Sequence, residues 1–139
     1  MAYTVTLEEE NKEIALRYKD MLKDTYQTLS SSDKLLIRKA FDLAVEAHKD
    51  QRRKTGEPYI YHPISVAKIV ANEIGLGAQS IAAALLHDIV EDTQYTFADI
   101  EQMFGETIAK IVNGLTKISR LQKDQDVSIQ AENFRKMLL

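Results

Sequence analysis

The run Leu85-Leu86-His87-Asp88-Ile89-Val90-Glu91-Asp92 closes a nearly all-apolar stretch that begins at Ile81. On a helix, residues one apart point about 100° apart and residues four apart share a face. His87 therefore stacks over Glu91, and Asp88 over Asp92. One imidazole and three carboxylates crowd a single arc at what the spacing predicts to be a helix C-terminus. Each anion there is unfavourable by roughly 0.3–1 kcal/mol, because the helix dipole puts negative charge at that end. A bound cation reverses the sign of that term. Crowding of this kind also implies that removing Asp88 raises the melting temperature of the metal-free chain. Yet His-Asp pairs arise by chance, and acidic residues often end a solvated helix. The rest of the chain has to decide.

A chain of 139 residues is long enough for one domain with a sizeable core. Its 45% apolar content argues against disorder. A net charge of −3 and a pI near 5.6 argue against direct nucleic-acid binding. There is no cysteine, hence no disulfide framework and no thiolate metal site. A metal here must be held by histidine and carboxylate, which favours Mn, Fe or Zn. The candidates are few: His48, His62 and His87. Met1 to Glu10 is polar and acidic, and no apolar run approaches the length of a membrane span. A cytoplasmic protein that does not enter membranes is expected.

Low glycine and proline content, with apolar residues at three-four spacing, predicts an all-α domain. Thr6-Leu7-Glu8-Glu9 reads as a capping box opening a helix from Leu7 to Thr28. Ser30-Ser31-Ser32-Asp33 caps a second helix with Leu36, Ile37, Ala40, Phe41, Ala44, Ala47 and His48 on one face. A polar loop follows, Lys49 to Tyr61. Pro63 suits the first position of a helix running to about Ile74, with His62 near its N-cap. The helix bearing His87 is predicted over Ala78 to Glu91, a short one after Thr96-Phe97-Ala98-Asp99 to Gly105, and another over Glu106 to Ser119. Arg120 to Val127 reads as a charged connector, and Ser128 opens a last helix with Phe134, Met137 and Leu138 at core spacing. Residues 1–30 read as an N-terminal helical extension and 31–139 as the domain proper. Phe134 to Leu139 stops in mid-pattern with no cap or polar tail, so the domain is expected to continue. Such a helix, left uncovered, is expected to drive self-association.

His62 precedes a helix, whose positive end favours the neutral imidazole a metal needs. His48, behind Ala44 and Ala47, reads better as a core or rim histidine than as a ligand. Arg52-Arg53-Lys54 puts three cations before His62, followed by Thr55 and Gly56. A charge run is usually a solvated loop. As a ligand clamp, Arg can stack on a base or fork onto phosphate, Lys can meet phosphate, and Thr can bond a base edge.

Together, Ala47-His48, Gln51, Arg53-Lys54-Thr55-Gly56-Glu57-Pro58-Tyr59-Ile60, His62-Pro63, Leu85-Leu86-His87-Asp88, Glu91-Asp92-Thr93, Phe104-Gly105 and Leu115-Thr116-Lys117 resemble one family. It is the N-terminal HD-type hydrolase domain of the RelA/SpoT homologues, long enzymes that make and degrade (p)ppGpp. The resemblance spans roughly Lys34 to Leu139, and it implies an HD-phosphohydrolase-type helical bundle that is incomplete at its C-terminus. It also implies that His62, His87 and Asp88 are three of four ligands to a metal, usually Mn²⁺. Glu91 and Asp92 then position and activate the attacking water, Arg53 packs on guanine, and Lys54 and Thr55 line the same pocket. The implied reaction is removal of the 3′-pyrophosphate of (p)ppGpp, in a protein that also carries a (p)ppGpp synthetase (GTP pyrophosphokinase) domain of the stringent response. The family's fourth ligand, an aspartate, would lie beyond Leu139. Rival readings are an HD phosphohydrolase acting on another nucleotide and a non-catalytic regulatory helical module.

Overall fold

The computed structural model describes residues 3–74 and 77–121. The described residues are helical, with a single isolated β-bridge between Arg52 and Pro58 and no strand. Helix α1 spans Leu7–Leu22, and its N-cap Thr6 accepts from the Glu9 N–H at 3.2 Å. It ends earlier than predicted. The chain re-forms only a 3₁₀ turn over Tyr26–Thr28, where the Thr28 hydroxyl bonds the Thr25 carbonyl at 2.7 Å. Asp24 and Thr25 are poor helix formers, and threonine side chains compete with the backbone ladder. Before it ends, α1 places Met21 and Leu22 in the core.

Helix α2, Ser31–Ala47, opens at the predicted cap, which the structure resolves as a reciprocal box. The Asp33 N–H donates to Ser30 Oγ at 3.0 Å, and the Ser30 N–H to Asp33 Oδ2 at 3.2 Å. Its buried face carries Ile37, Ala40, Phe41, Leu43 and Ala44. Helix α3 spans Tyr61–Ile69, with Ile60 as N-cap, so it begins two residues ahead of Pro63. His62 thus lies inside the first turn rather than at the cap. Pro63 is tolerated there because the first-turn N–H groups have no intrahelical acceptor. A π-helical turn, Val70–Ile74, continues α3.

Helix α4, Ala78–Leu86, is the centre of the molecule. Ile81 to Leu86 are each at most 1% exposed, and α4 packs against α2, α3 and α7. The alanines let neighbouring helices approach closely. The long helix predicted through Glu91 is broken: His87 and Asp88 form a turn, and α5, Ile89–Asp92, follows. The His87 ring explains the break. Its Nδ1 bonds the Ala84 carbonyl at 2.6 Å, the acceptor that a continuous helix reserves for the Asp88 N–H. Helix α6, Phe97–Phe104, starts at the predicted cap, where Thr96 and Asp99 form a reciprocal box, and ends at Gly105. Helix α7, Glu106–Leu121, buries Ile108, Val112 and Leu115 and overruns the predicted start of the connector. The helix expected from Ser128, and the self-association expected of it, lie outside the described residues.

The 52–58 loop is tied to the N-terminal segment. Arg52 forks onto the buried Glu10 carboxylate of α1, and its guanidinium also reaches the Gly56 carbonyl at 3.4 Å. Gly56 sits at φ +95, and a Cβ added there would lie 2.7 Å from Tyr3 Cβ. Both the backbone and the space therefore demand glycine. Gly56→Ala is expected to cost more than about 1 kcal/mol, because strain adds to the clash. Thermal unfolding checks this. An unchanged melting temperature would mean that the loop relaxes freely away from Tyr3.

Candidate metal centre

Three helical elements meet where the chemistry-bearing residues converge. His62 comes from the first turn of α3, and His87 and Asp88 from the turn between α4 and α5. All three are buried, at 7%, 3% and 6% exposure. One ligand atom from each lies within 4.8 Å of the other two, the one such group among the described residues. His87 Nε2 is 3.2 Å from Asp88 Oδ2, and His62 Nε2 is 4.0 Å from it. The two imidazole centroids are 6.1 Å apart.

These distances fit one small cation. Bonds of about 2.0–2.2 Å place two ligands of one ion at most about 4.4 Å apart, a few tenths of an ångström from what the side chains already show. The tautomer fits as well. His87 Nδ1 faces a carbonyl, which only accepts, so Nδ1 carries a proton and Nε2 is the nitrogen left to meet a metal.

Two residues hold this turn that spacing alone did not single out. The Tyr59 hydroxyl donates to Asp88 Oδ2 at 2.7 Å. The buried Thr116 hydroxyl of α7 lies 3.0 Å from the His87 carbonyl and 2.8 Å from that of Val112. Both stand in the motif strings quoted above, which is the one signal the sequence offered. Burial by itself pushes the Asp88 carboxyl up. The neighbouring His87, the Tyr59 hydroxyl, His62 and His48 outweigh it and hold Asp88 below the ordinary carboxylate value. Burial, with the Asp88 carboxylate next to it, pushes the Tyr59 phenol up, so Tyr59 stays a donor.

Glu91 and Asp92 are half-buried on α5, one turn past Asp88. The Asp92 N–H bonds the Asp88 carbonyl at 3.0 Å, which ties the end of α5 back to the ligand turn. The basic loop is divided. Arg52 is engaged with the buried Glu10 carboxylate of α1, a correction to the reading of three clamp cations. Arg53 lies 6.0 Å from the Tyr59 ring centroid and 3.9 Å from Glu57 Oε1. Lys54 and Thr55 are exposed at the tip of the turn. His48 is buried at 1% exposure, outside the ligand group, and burial pushes its imidazole down.

A helical bundle with a buried His…His-Asp cluster defines a class, and the comparison of sequences agrees with it. A family model described as "HD domain" matches residues 40–139, and the chain belongs to that family. Among curated proteins, it is 43% identical over 121 residues to the bifunctional (p)ppGpp synthase/hydrolase SpoT of Escherichia coli K12, covering 86% of this chain and 17% of that protein. It is 48% identical over 103 residues to a guanosine-3′,5′-bis(diphosphate) 3′-pyrophosphohydrolase of Aquifex aeolicus, covering 74% and 14%. A GTP pyrophosphokinase of Brucella melitensis is 45% identical over 104 residues, covering 75% and 14%. The chain thus spans 14–17% of the length of these relatives. No helix among the described residues is long and apolar enough to cross a membrane.

Proposed function

We propose that this chain carries the hydrolase part of a (p)ppGpp synthetase/hydrolase and removes the 3′-pyrophosphate of ppGpp or pppGpp. The observation that carries this reading is the buried His62, His87 and Asp88 group, joined through Tyr59 to the loop bearing Arg53. The identity to proteins named for that hydrolysis supports the choice of substrate. A cytoplasmic location and a guanine-nucleotide partner belong to the same proposal.

His62, His87 and Asp88 would hold a divalent ion, with Mn²⁺ as the candidate. Bound there, the ion supplies charge stabilisation at a phosphoryl oxygen and an acidified water. The chain's own groups do the rest. His87 and Asp88 are prepositioned by the Ala84 carbonyl and the Tyr59 hydroxyl, so little reorganisation is left for the reaction. Glu91 and Asp92 orient the attacking water and take its proton. Its oxygen bonds to the phosphorus attached at the ribose 3′-oxygen. That P–O bond breaks, the 3′-oxygen leaves as a hydroxyl, and pyrophosphate departs. Arg53 stacks on the base, while Lys54 and Thr55 line the nucleotide's side of the loop.

Incubation with ppGpp and Mn²⁺, followed by chromatography, should yield GDP and pyrophosphate, and a chelator should stop it. A panel of other nucleotides left uncleaved supports the assignment. Faster cleavage of an adenine or deoxynucleotide substrate would favour the broader HD phosphohydrolase reading. Arg53→Ala is expected to weaken guanine-nucleotide binding by about 1–2 kcal/mol, through lost stacking and charge. Calorimetry measures it, and equal affinity in both proteins would return Arg53 to a solvated loop.

A further inference from the structure

Helix α5 has only four residues, Ile89–Asp92. A helix that short does not hold its own geometry in water. If Glu91 and Asp92 are to meet a water at a fixed place, something outside α5 must fix both ends. The N-terminal end is fixed by the His87-Asp88 turn and its bonds to Thr116 and Tyr59. At the C-terminal end, the Asp92 carbonyl is among those that a helix terminus leaves without an intrahelical donor. Gln51, at the start of the basic loop, donates its side-chain amide N–H to that carbonyl.

This contact sets a chain of orientations. A carbonyl only accepts, so the Gln51 NH₂ group must face Asp92 and Gln51 Oε1 must face the other way. There it meets His48 Nδ1 at 2.7 Å, which fixes the proton on Nδ1. His48 is the C-cap of α2, and its own N–H bonds the Ala44 carbonyl at 3.0 Å. The clamp therefore runs from the rigid end of α2, through His48 and Gln51, to the end of α5. The remaining nitrogen, His48 Nε2, is buried with no hydrogen-bond partner among the described residues. An unpaired buried nitrogen costs stability whatever the other nitrogen does, so a histidine at this place calls for an explanation.

We propose that Gln51 and His48 are a positioning pair that fixes the Asp92 end of α5 and thereby aims the Glu91 and Asp92 carboxylates. The pair acts through the Asp92 backbone and touches no reacting atom. The inference rests on the proposed role of those two carboxylates in (p)ppGpp hydrolysis.

The test uses kcat and KM for ppGpp hydrolysis with Mn²⁺. Gln51→Leu and Gln51→Glu both remove the N–H donor, and the second keeps the shape if the first fails to fold. Each is expected to lower kcat roughly 10- to 100-fold, the range seen when groups supporting a site are lost, with KM little changed. His48→Asn retains a donor where Nδ1 stands and should restore near-normal kcat. His48→Gln places its amide nearer to Nε2 and should not. Unchanged kcat in both Gln51 variants overturns the proposal. So does an equal loss in His48→Asn and His48→Gln, which would mean that Nε2 itself acts. Glu91→Gln and Asp92→Asn separate the two levels. If these keep full rate, the carboxylate assignment falls and the clamp's purpose falls with it. If they collapse while the Gln51 variants do not, the clamp alone is wrong.

Discussion

Asp88→Ala is expected to abolish ppGpp hydrolysis and to lower, not raise, the melting temperature of the metal-free chain. Loss of one carboxylate from the cation site removes several kcal/mol of transition-state stabilisation. About 4 kcal/mol corresponds to roughly a thousandfold in rate. The stability effect runs opposite to what carboxylate crowding alone implies. In the fold, Asp88 accepts the Tyr59 hydroxyl at 2.7 Å and lies 3.2 Å from His87 Nε2. Its removal leaves a partly buried phenol without its acceptor, a cost of about 1 kcal/mol or somewhat more. For a domain of this size that is a fall of roughly 3–6 °C. The pH dependence has a definite sign. Asp88 is held below the ordinary carboxylate value in the folded chain. Its contribution is therefore fully present above roughly pH 4 and is lost as pH falls through its lower folded value. Unfolding curves at pH 7 and pH 3 for both proteins measure this. The gap in melting temperature should narrow in acid, and a variant more stable than wild type at pH 7 would contradict the account.

Glu91→Gln is expected to leave metal binding and KM near wild type while cutting kcat by about 10²–10⁴-fold. It keeps the side chain's shape but removes a proton acceptor, and general-base catalysis contributes on that scale. Steady-state kinetics with a parallel Mn²⁺ titration separates the two effects. A variant that binds Mn²⁺ tenfold more weakly with kcat intact would make Glu91 a ligand instead.

How much of the fold is legible in the sequence follows the range of each interaction. The caps at Ser30 and Thr96 rest on pairs three residues apart, and both stand in the fold as the sequence predicts, whereas at Thr6 the structure shows only the Thr6 half of the predicted box. The apolar run from Ile81 to Leu86 forces burial on every side, and α4 is the core. His62, His87 and Asp88 were legible only as members of a motif. Their meeting depends on α3 lying against α4, which no local pattern states. The break at His87-Asp88 was not legible. It follows from a side chain competing for the Ala84 carbonyl and from Thr116, 29 residues away. Arg52 misled for the same reason. Its charge was visible, but its partner Glu10 lies 42 residues earlier. His48 looked like a core histidine, and it is one. Only the path through Gln51 to the Asp92 carbonyl gives it a further use.

The central claim is that His62, His87 and Asp88 hold the divalent ion on which hydrolysis depends. Mn²⁺ titration followed by electron paramagnetic resonance tests it most directly. The free-ion signal should be quenched by one equivalent in wild type and in Glu91→Gln. It should persist from the first addition in His87→Ala and Asp88→Ala. Equal uptake of Mn²⁺ by wild type and Asp88→Ala would show that the ion binds elsewhere and would contradict the account.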